Sequence, residues 1–326
     1  MKYIMIILMA LLTLPARSQF LRADFKKAME LKQRPLVVVL FDPETEASTQ
    51  CDSMHMAWYN EHIAVAFEKH WTLNDSIIFM ESRKAASIID SKSHEYVIFT
   101  AGPSREGQQS SGDVFWYPSF TFMVFLSEDG NRMNGEYVDR GFYNERLVPD
   151  TEVTGQLNRG RYIFKLSLPE MMISENDLAF VLQQFDISIG KALEEKKAKG
   201  GIYASPVPRS LSARLKNDTL LIPETFDPEA SDQKIISSYY NHPFKIASEK
   251  QIEDAQSGAA RNQAFIHYLW SDHERMFLGF VVETETLDVI TAFKPGQVKL
   301  EKAACLPAGK SYRTLIRAKA RYLKRL

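Results

Sequence analysis

The chain has 326 residues, 45% of them hydrophobic and 25% charged, enough for about two globular domains with buried cores. Lysine and arginine number 40 against 41 aspartates and glutamates, which excludes a global electrostatic pull towards nucleic acid or anionic lipid. The composition also excludes long disordered tails, and the two cysteines, Cys51 and Cys305, make neither a disulfide framework nor a CxxC redox motif.

The first eighteen residues have the pattern of a secretory signal. Lys2 supplies a positive start, Ile4 to Leu14 is an unbroken apolar run, and Ala16-Arg17-Ser18 offers small residues before Gln19. The run is about half the roughly 20 residues that span a bilayer. We therefore expect cleavage between Ser18 and Gln19 and a periplasmic or secreted chain; the alternative is an uncleaved anchor. No cysteine follows the run to carry a lipid, and no later segment is long and apolar enough to span a membrane. Removing residues 1–18 takes away Lys2 and Arg17, leaving 38 basic and 41 acidic side chains, a net charge of −3. Export would also permit a bridge between Cys51 and Cys305.

Phe20 to Lys32 has mostly helical apolar spacing and leads into Leu36 to Phe41, a β-branched run suited to a strand covered on both faces. Asp42-Pro43-Glu44 ends it, and residues 45–55 read as loop. Tyr59, Ile63, Phe67 and Trp71 at i, i+4 spacing form one buried helical stripe. Ser76 to Met80 is the next strand, Ser82 caps a short helix, and Tyr96 to Thr100 is another strand. Residues 103–113 read as a polar loop. The aromatic-rich stretch from Val114 to Leu126 alternates towards its end, Asp129-Gly130 predicts a hairpin turn, and Glu136 to Phe142 predicts the returning strand. Arg161 to Leu168 alternates again. Ser174 and Asp177 open a long helix with Leu178, Val181, Leu182, Phe185 and Ile189 inward, ending at Gly200-Gly201.

The pattern then returns. Thr219 to Ile222 is a strand followed by Phe226-Asp227-Pro228-Glu229, the same four residues as Phe41-Asp42-Pro43-Glu44. A helix capped at Ser231, strands at Phe244–Ala247 and Ala264–Leu269, a capping box at Ser248-Glu249-Lys250-Gln251, a hairpin over 276–293 and a terminal helix from Tyr312 to Leu326 complete it. The expected fold class is α/β with an α+β tendency: two tandem repeats of β-α-β-α-β plus hairpin and long helix, each a sheet with packed helices. The expected division is a signal at 1–18, a first unit at 19–200, a linker at 201–217 and a second unit at 218–326. Duplication of this kind predicts an internal pseudo-dimer, hence a monomeric chain.

Over SIIFMESRKAASIIDSKSHEYVIFTAG the pattern resembles the envelope α/β domain of the curli secretion-channel lipoproteins. It is similar there to the periplasmic activators of penicillin-binding proteins and to the N-terminal domain of the Tol translocation protein. The positions carrying the likeness are Ile77 to Arg83 and Glu95 to Gly102. The resemblance implies a binding or assembly domain of the cell envelope and brings no catalytic residue with it. FKKAMELKQRPLVVVLFD also resembles the opening helix and strand of secreted thioredoxin-like domains, although only Cys51 follows where a redox pair would stand.

Candidate functional residues follow from position. Asp42 with Glu44, and Asp227 with Glu229, stand past the carboxyl ends of buried strands, where open α/β sheets bind ligands. They suit a hard cation or a basic partner; an Asx-turn after the strand uses the same residues. Trp116 and Tyr117, near Phe115 and Phe120, suit a glycan or peptide if exposed, or a sheet core if not. Arg313, Arg317 and Arg321 share one face of the expected terminal helix and suit an anionic surface, or simply water. His55, His62 and His70 lack zinc spacing, and there is no GxSxG, HExxH or phosphate loop. No metal, cofactor or catalytic residue is therefore assigned. The sequence favours an exported, non-enzymatic binding or assembly protein of the bacterial envelope, with an envelope protein, glycan or peptide as partner. The rivals are an exported hydrolase with a site between the units, and an inactive thioredoxin-like domain.

Overall fold

The computed structural model describes residues 21–326 apart from 47–49, 111–112, 135–144, 150–161, 170–172, 197–200, 203–213, 225–232, 258–259, 272–273, 275, 296, 306–308 and 318–319. Its first unit contains β1 (Leu21–Arg22), α1 (Phe25–Leu31), β2 (Leu36–Leu40), α2 (Pro43–Glu46), α3 (Gln50–His70), β3 (Ile77–Glu81), α4 (Ser82–Asp90), β4 (Val97–Ser110) and β5 (Asp113–Leu126). It continues through β6 (Gly130–Asn134), β7 (Glu145–Pro149), β8 (Phe164–Leu168) and α5 (Glu175–Glu195). After β9 (Gly201–Ile202), which pairs with β1, come β10 (Thr219–Pro223), α6 (Gln233–Tyr239), β11 (Phe244–Ala247) and α7 (Glu249–Gln256). The chain ends with β12 (Gln263–Ser271), β13 (Met276–Glu283), β14 (Val289–Phe293), β15 (Gln297–Cys305), β16 (Gly309–Arg317) and a 3₁₀ turn at Ala320–Arg325.

The fold is α/β with two similar units. One sheet has the order β3-β2-β4-β5-β8 and the other β11-β10-β12-β13-β14. In each, the first three strands named are parallel and the last two join antiparallel. β2 alternates between two cores, Leu36 and Val38 entering one and Val37 and Val39 the other, as a strand covered on both faces must.

The faces are not used alike. In the first unit, α3 and α5 lie on the inner side with the core that spans both units, while α4 lies on the outer side. In the second, α7 joins that inner core, while α6 and the terminal 3₁₀ turn cover the outer side. The first crossover helix and the closing helix therefore share a face in both units, but that face points inward in one and outward in the other. The pseudo-symmetry is one of topology; the packing is head-to-tail rather than that of a pseudo-dimer.

α5 is the shared layer. Ser174 accepts from the Asp177 N–H at 3.1 Å while the Asp177 carboxylate accepts from the Ser174 N–H at 3.0 Å, which is the expected capping box. One stripe packs on the first sheet, with the Phe185 ring 4.8 Å from Phe164 and 5.6 Å from Phe99. A second stripe, Asp177, Phe180, Gln184 and Lys191, faces the second unit. There Phe180 meets His267 at 4.4 Å and Phe265 at 6.0 Å, Gln184 donates to the Leu287 carbonyl at 2.7 Å, and Lys191 pairs with Asp288. Leu287 sits at φ 53, a conformation costing a non-glycine residue about 1–2 kcal/mol. Burial of its side chain and the Gln184 bond to its carbonyl hold it there.

Several local expectations change. Residues 43–46 and 50–55 are helical: Pro43 suits a first helical position and Asp42 caps the turn. α4 begins at Ser82 itself, with Glu81 as an N-cap that makes no side-chain capping bond. Residues 103–110 continue β4, so the polar stretch is an arm of the β4–β5 hairpin. Asp129-Gly130 is no hairpin turn: Ser127–Asp129 is a 3₁₀ turn and Gly130 starts β6, which pairs with β7. A Cβ on Gly130 would stand 2.5 Å from Phe125, so glycine is needed for that approach. The long helix ends at Lys196, at φ 55, rather than at Gly200-Gly201, and Gly201 pairs with Arg22. The expected terminal helix is instead β16 followed by a short 3₁₀ turn. The returning strand at 136–142 and the Ser231 cap lie outside the described residues.

A second contact joins the units. β5 runs beyond the first sheet, and Tyr117 packs against Trp270, Phe277 and Ile316. Among the described strands β4 alone pairs with β5 at Pro118, an edge position of the kind where proline is tolerated.

Truncating Phe180 to alanine removes a fully buried ring from the joint and is expected to cost about 3–5 kcal/mol in urea unfolding. Gly279→Ala places a Cβ 2.4 Å from Phe293 Cζ across the β13–β14 ladder, and should cost about 1–3 kcal/mol by the same measurement.

Candidate functional site

In the first sheet the topology singles out the carboxyl end of β2, with α3 and α4 leaving to opposite faces beside it, the place where open α/β sheets carry ligands. Asn60, one turn into the buried stripe of α3, clamps the strand end. Its Oδ1 accepts from the Phe41 N–H and its Nδ2 donates to the Phe41 carbonyl, both at 2.9 Å. Tyr59 lies beside Phe41, ring centroids 4.9 Å apart, and is 1% exposed. Its hydroxyl finds no hydrogen-bond partner among the described residues, and burial holds the phenol well above its ordinary pKa. The group is thus a neutral donor and acceptor, unsuited to act as a base.

Asp42 is half-buried and accepts the Glu44 N–H at 3.2 Å, the Asx-turn alternative. Glu44 is exposed. Asp227 and Glu229 lie outside the described residues, so the repeated Phe-Asp-Pro-Glu segments are placed on one side only. Cys51 is the second residue of α3 and Cys305 the last of β15; their side chains, and with them any bridge, lie outside the described residues.

Trp116 and Tyr117 stand on β5 opposite Gly107 and Glu106. The Trp116 side chain lies outside the described residues. Tyr117 is half-buried in the clasp, and burial raises its pKa, so it serves packing between the units. Arg313 and Arg317 do not share a helix face with Arg321. They stand on β16 opposite Glu301 and Gln297, while Arg321 is exposed on the 3₁₀ turn. β16 is held instead by its full ladder with β15, from Gln297 opposite Arg317 to Cys305 opposite Gly309, and Ile316 packs with Tyr117, Trp270 and Phe277.

The histidines are spent locally. His62 stacks on Trp58 at 4.5 Å, its Nδ1 is 2.7 Å from the Trp58 carbonyl, and its Nε2 is 3.2 Å from the 73% exposed side chain of Glu175. His94, 77% exposed, meets Glu128, which also accepts two bonds from Arg34 Nη1, while Arg34 Nη2 donates to Glu30. Burial pushes the Glu128 carboxyl up, but these bonds hold it below its ordinary value. Among the described residues no group of three or more histidines, cysteines or acids could hold a metal ion.

Two further histidines lie against α5 or at the joint, His70 between α3 and α5 of the first unit and His267 between the units; the sequence named only His70, as lacking zinc spacing. His70 is bound by Gln183 of α5 at 3.1 Å, and burial, then Lys69, lowers its pKa. His267 Nδ1 is 3.0 Å from Gln256 Nε2, while its buried Nε2 has no partner among the described residues. Burial lowers the His267 pKa, against an upward pull from Asp177. No protein-family model, curated protein or solved structure matches the chain.

His70 and His267 are therefore neutral in the fold, whereas the unfolded chain takes up protons near the ordinary histidine pKa of about 6.5. The unfolded state binds more protons below that value, so this stability is complete above it and lost as pH falls through it. Unfolding midpoints should drop between about pH 7.5 and about pH 5.5, and His267→Gln should flatten that drop.

Proposed function

We propose that the chain is an exported, non-enzymatic binding or assembly protein of the bacterial cell envelope. The observation carrying this reading is how the described ionisable groups are employed. Asp42 closes a turn, Asp177 caps α5, Asp186 accepts Thr72 at 2.8 Å, and Lys191 pairs with Asp288. Among the described residues the acid–histidine ion pairs His62–Glu175 and His94–Glu128 each include a partner more than 70% exposed, Glu175 and His94, on open surface. The signal-like start and the envelope-domain resemblance support export.

An inactive thioredoxin-like domain is the second reading, and one observation favours it. β2 is interior to its sheet and Cys51 lies in the first turn of α3. Its lack of a neighbouring cysteine confines that reading to a non-redox role.

Two measurements test the first reading. Chain expressed with its full N-terminus in a bacterial host should be recovered from the periplasm beginning at Gln19; a cytoplasmic chain retaining Met1 would overturn export. Cross-linked pull-down from envelope extract should recover a specific partner, diminished when Arg313, Arg317 and Arg321 are replaced together by glutamate. Truncation at Gly309 would be uninformative, because it removes Ile316 and Leu323 from their cores. Absence of any partner would count against the reading.

A further inference from the structure

The near-balanced total charge hides a segregation along the chain. Residues 297–326 carry nine lysines and arginines against a single acid, Glu301. Taken from the 38 basic and 41 acidic side chains of residues 19–326, they leave 29 and 40 in residues 19–296, a net charge of −11. The fold keeps the basic segment together. Among the described strands β15 and β16 pair only with each other, outside both five-stranded sheets, and the 3₁₀ turn with exposed Lys324 follows them. Ile316 fastens this ribbon at its base, in the clasp. The ladder then runs unbroken to Cys305 opposite Gly309, about 23 Å farther along the strand. Strand alternation sets Lys302 and Lys310 on the ribbon face that carries Ile316, and Lys299, Arg313 and Arg317 on the other. Glu301 stands opposite Arg313. Residues 303–309, at the far end, hold no charge.

We propose that the β15–β16 hairpin docks the chain on an anionic lipid surface. Charge complementarity selects the partner: cations gathered on one ribbon meet lipid phosphates, while the strongly negative remainder of the chain is held off the same surface. The segregation therefore fixes an orientation as well as a contact, with the hairpin towards the lipid. The uncharged far end separates a bilayer from a soluble polyanion. A headgroup region accepts uncharged residues between its phosphates, whereas a polyanion in water would answer the cations alone. The proposal rests on the envelope reading for the compartment in which such a surface is met, and it names the class of partner.

Purified residues 19–326, sedimented with vesicles of phosphatidylcholine alone and of phosphatidylcholine mixed with phosphatidylglycerol, test it. The chain should pellet with the mixed vesicles only, and less so as salt is raised. Lys302→Gln with Lys310→Gln, and Arg313→Gln with Arg317→Gln, should each weaken that binding several-fold, and all four together should abolish it. Glu301→Gln should strengthen it, a gain that keeps the test decisive if the fourfold variant fails to fold. No pelleting with mixed vesicles, equal pelleting with both kinds, or indifference to these substitutions would overturn the proposal. So would a chain that binds dextran sulfate but not mixed vesicles. Vesicle binding by the purified chain requires neither export nor an envelope protein, so its failure is distinct from a failure of the N-terminal cleavage or of the pull-down.

Discussion

Two sheets compete for one helix. Each sheet has an inner apolar face that must be covered, and α5 covers part of both, with Phe185 among Phe99 and Phe164 on one side and Phe180 against Phe265 and His267 on the other. Burying apolar surface on both flanks is non-directional and fixes no angle of its own. The polar residues of α5 supply the direction. Gln184, 2% exposed, reaches a single carbonyl, and Asp186 takes both the N–H and the hydroxyl of Thr72. Leaving the buried Gln184 amide unpaired would cost about 1–3 kcal/mol, whereas the Asp186 bonds are exposed and contribute less. The sliding that an apolar face would tolerate is therefore closed off.

The clasp around Tyr117 acts at the far end of the same joint. A β4–β5 arm leaving the first sheet meets the second sheet at Trp270 and Phe277, where Ile316 from the β15–β16 hairpin also inserts. The joint is thus held at two separated places, through unrelated elements. Rotation about either one alone is opposed by the other.

The sequence made the strands legible wherever both faces are buried, as in Leu36–Leu40 with its unbroken apolar run. Capping boxes at Ser174 and Ser248 were legible because they are local chemistry. The polar arm at 103–110 was not: it leaves the sheet, so no apolar alternation marks it. The terminal strand misled for a geometric reason. Residues four apart share a face in a strand as well as in a helix, so Arg313 and Arg317 fit either period. The double role of α5 was written in one residue. Phe180 lies roughly opposite the Leu178–Phe185–Ile189 stripe at about 100° per residue, a second apolar face that a single-sided helix has no use for. Asp227 and Glu229, which would complete the repeated strand-end site, lie outside the described residues, so sequence alone speaks for that half.

Head-to-tail packing gives the pair of units a polarity that a pseudo-dimer would lack. In principle such an array could grow, each new unit laying its second crossover helix on the outer face of the one before. Each unit instead carries one extra hairpin. In the first unit the β6–β7 hairpin, absent between β13 and β14, lies against α4, and in the second the β15–β16 hairpin follows the sheet. Both lie between or after the antiparallel strands, while the parallel strands and their crossover helices recur in both units, so insertion beyond the parallel core is the route by which such a chain varies.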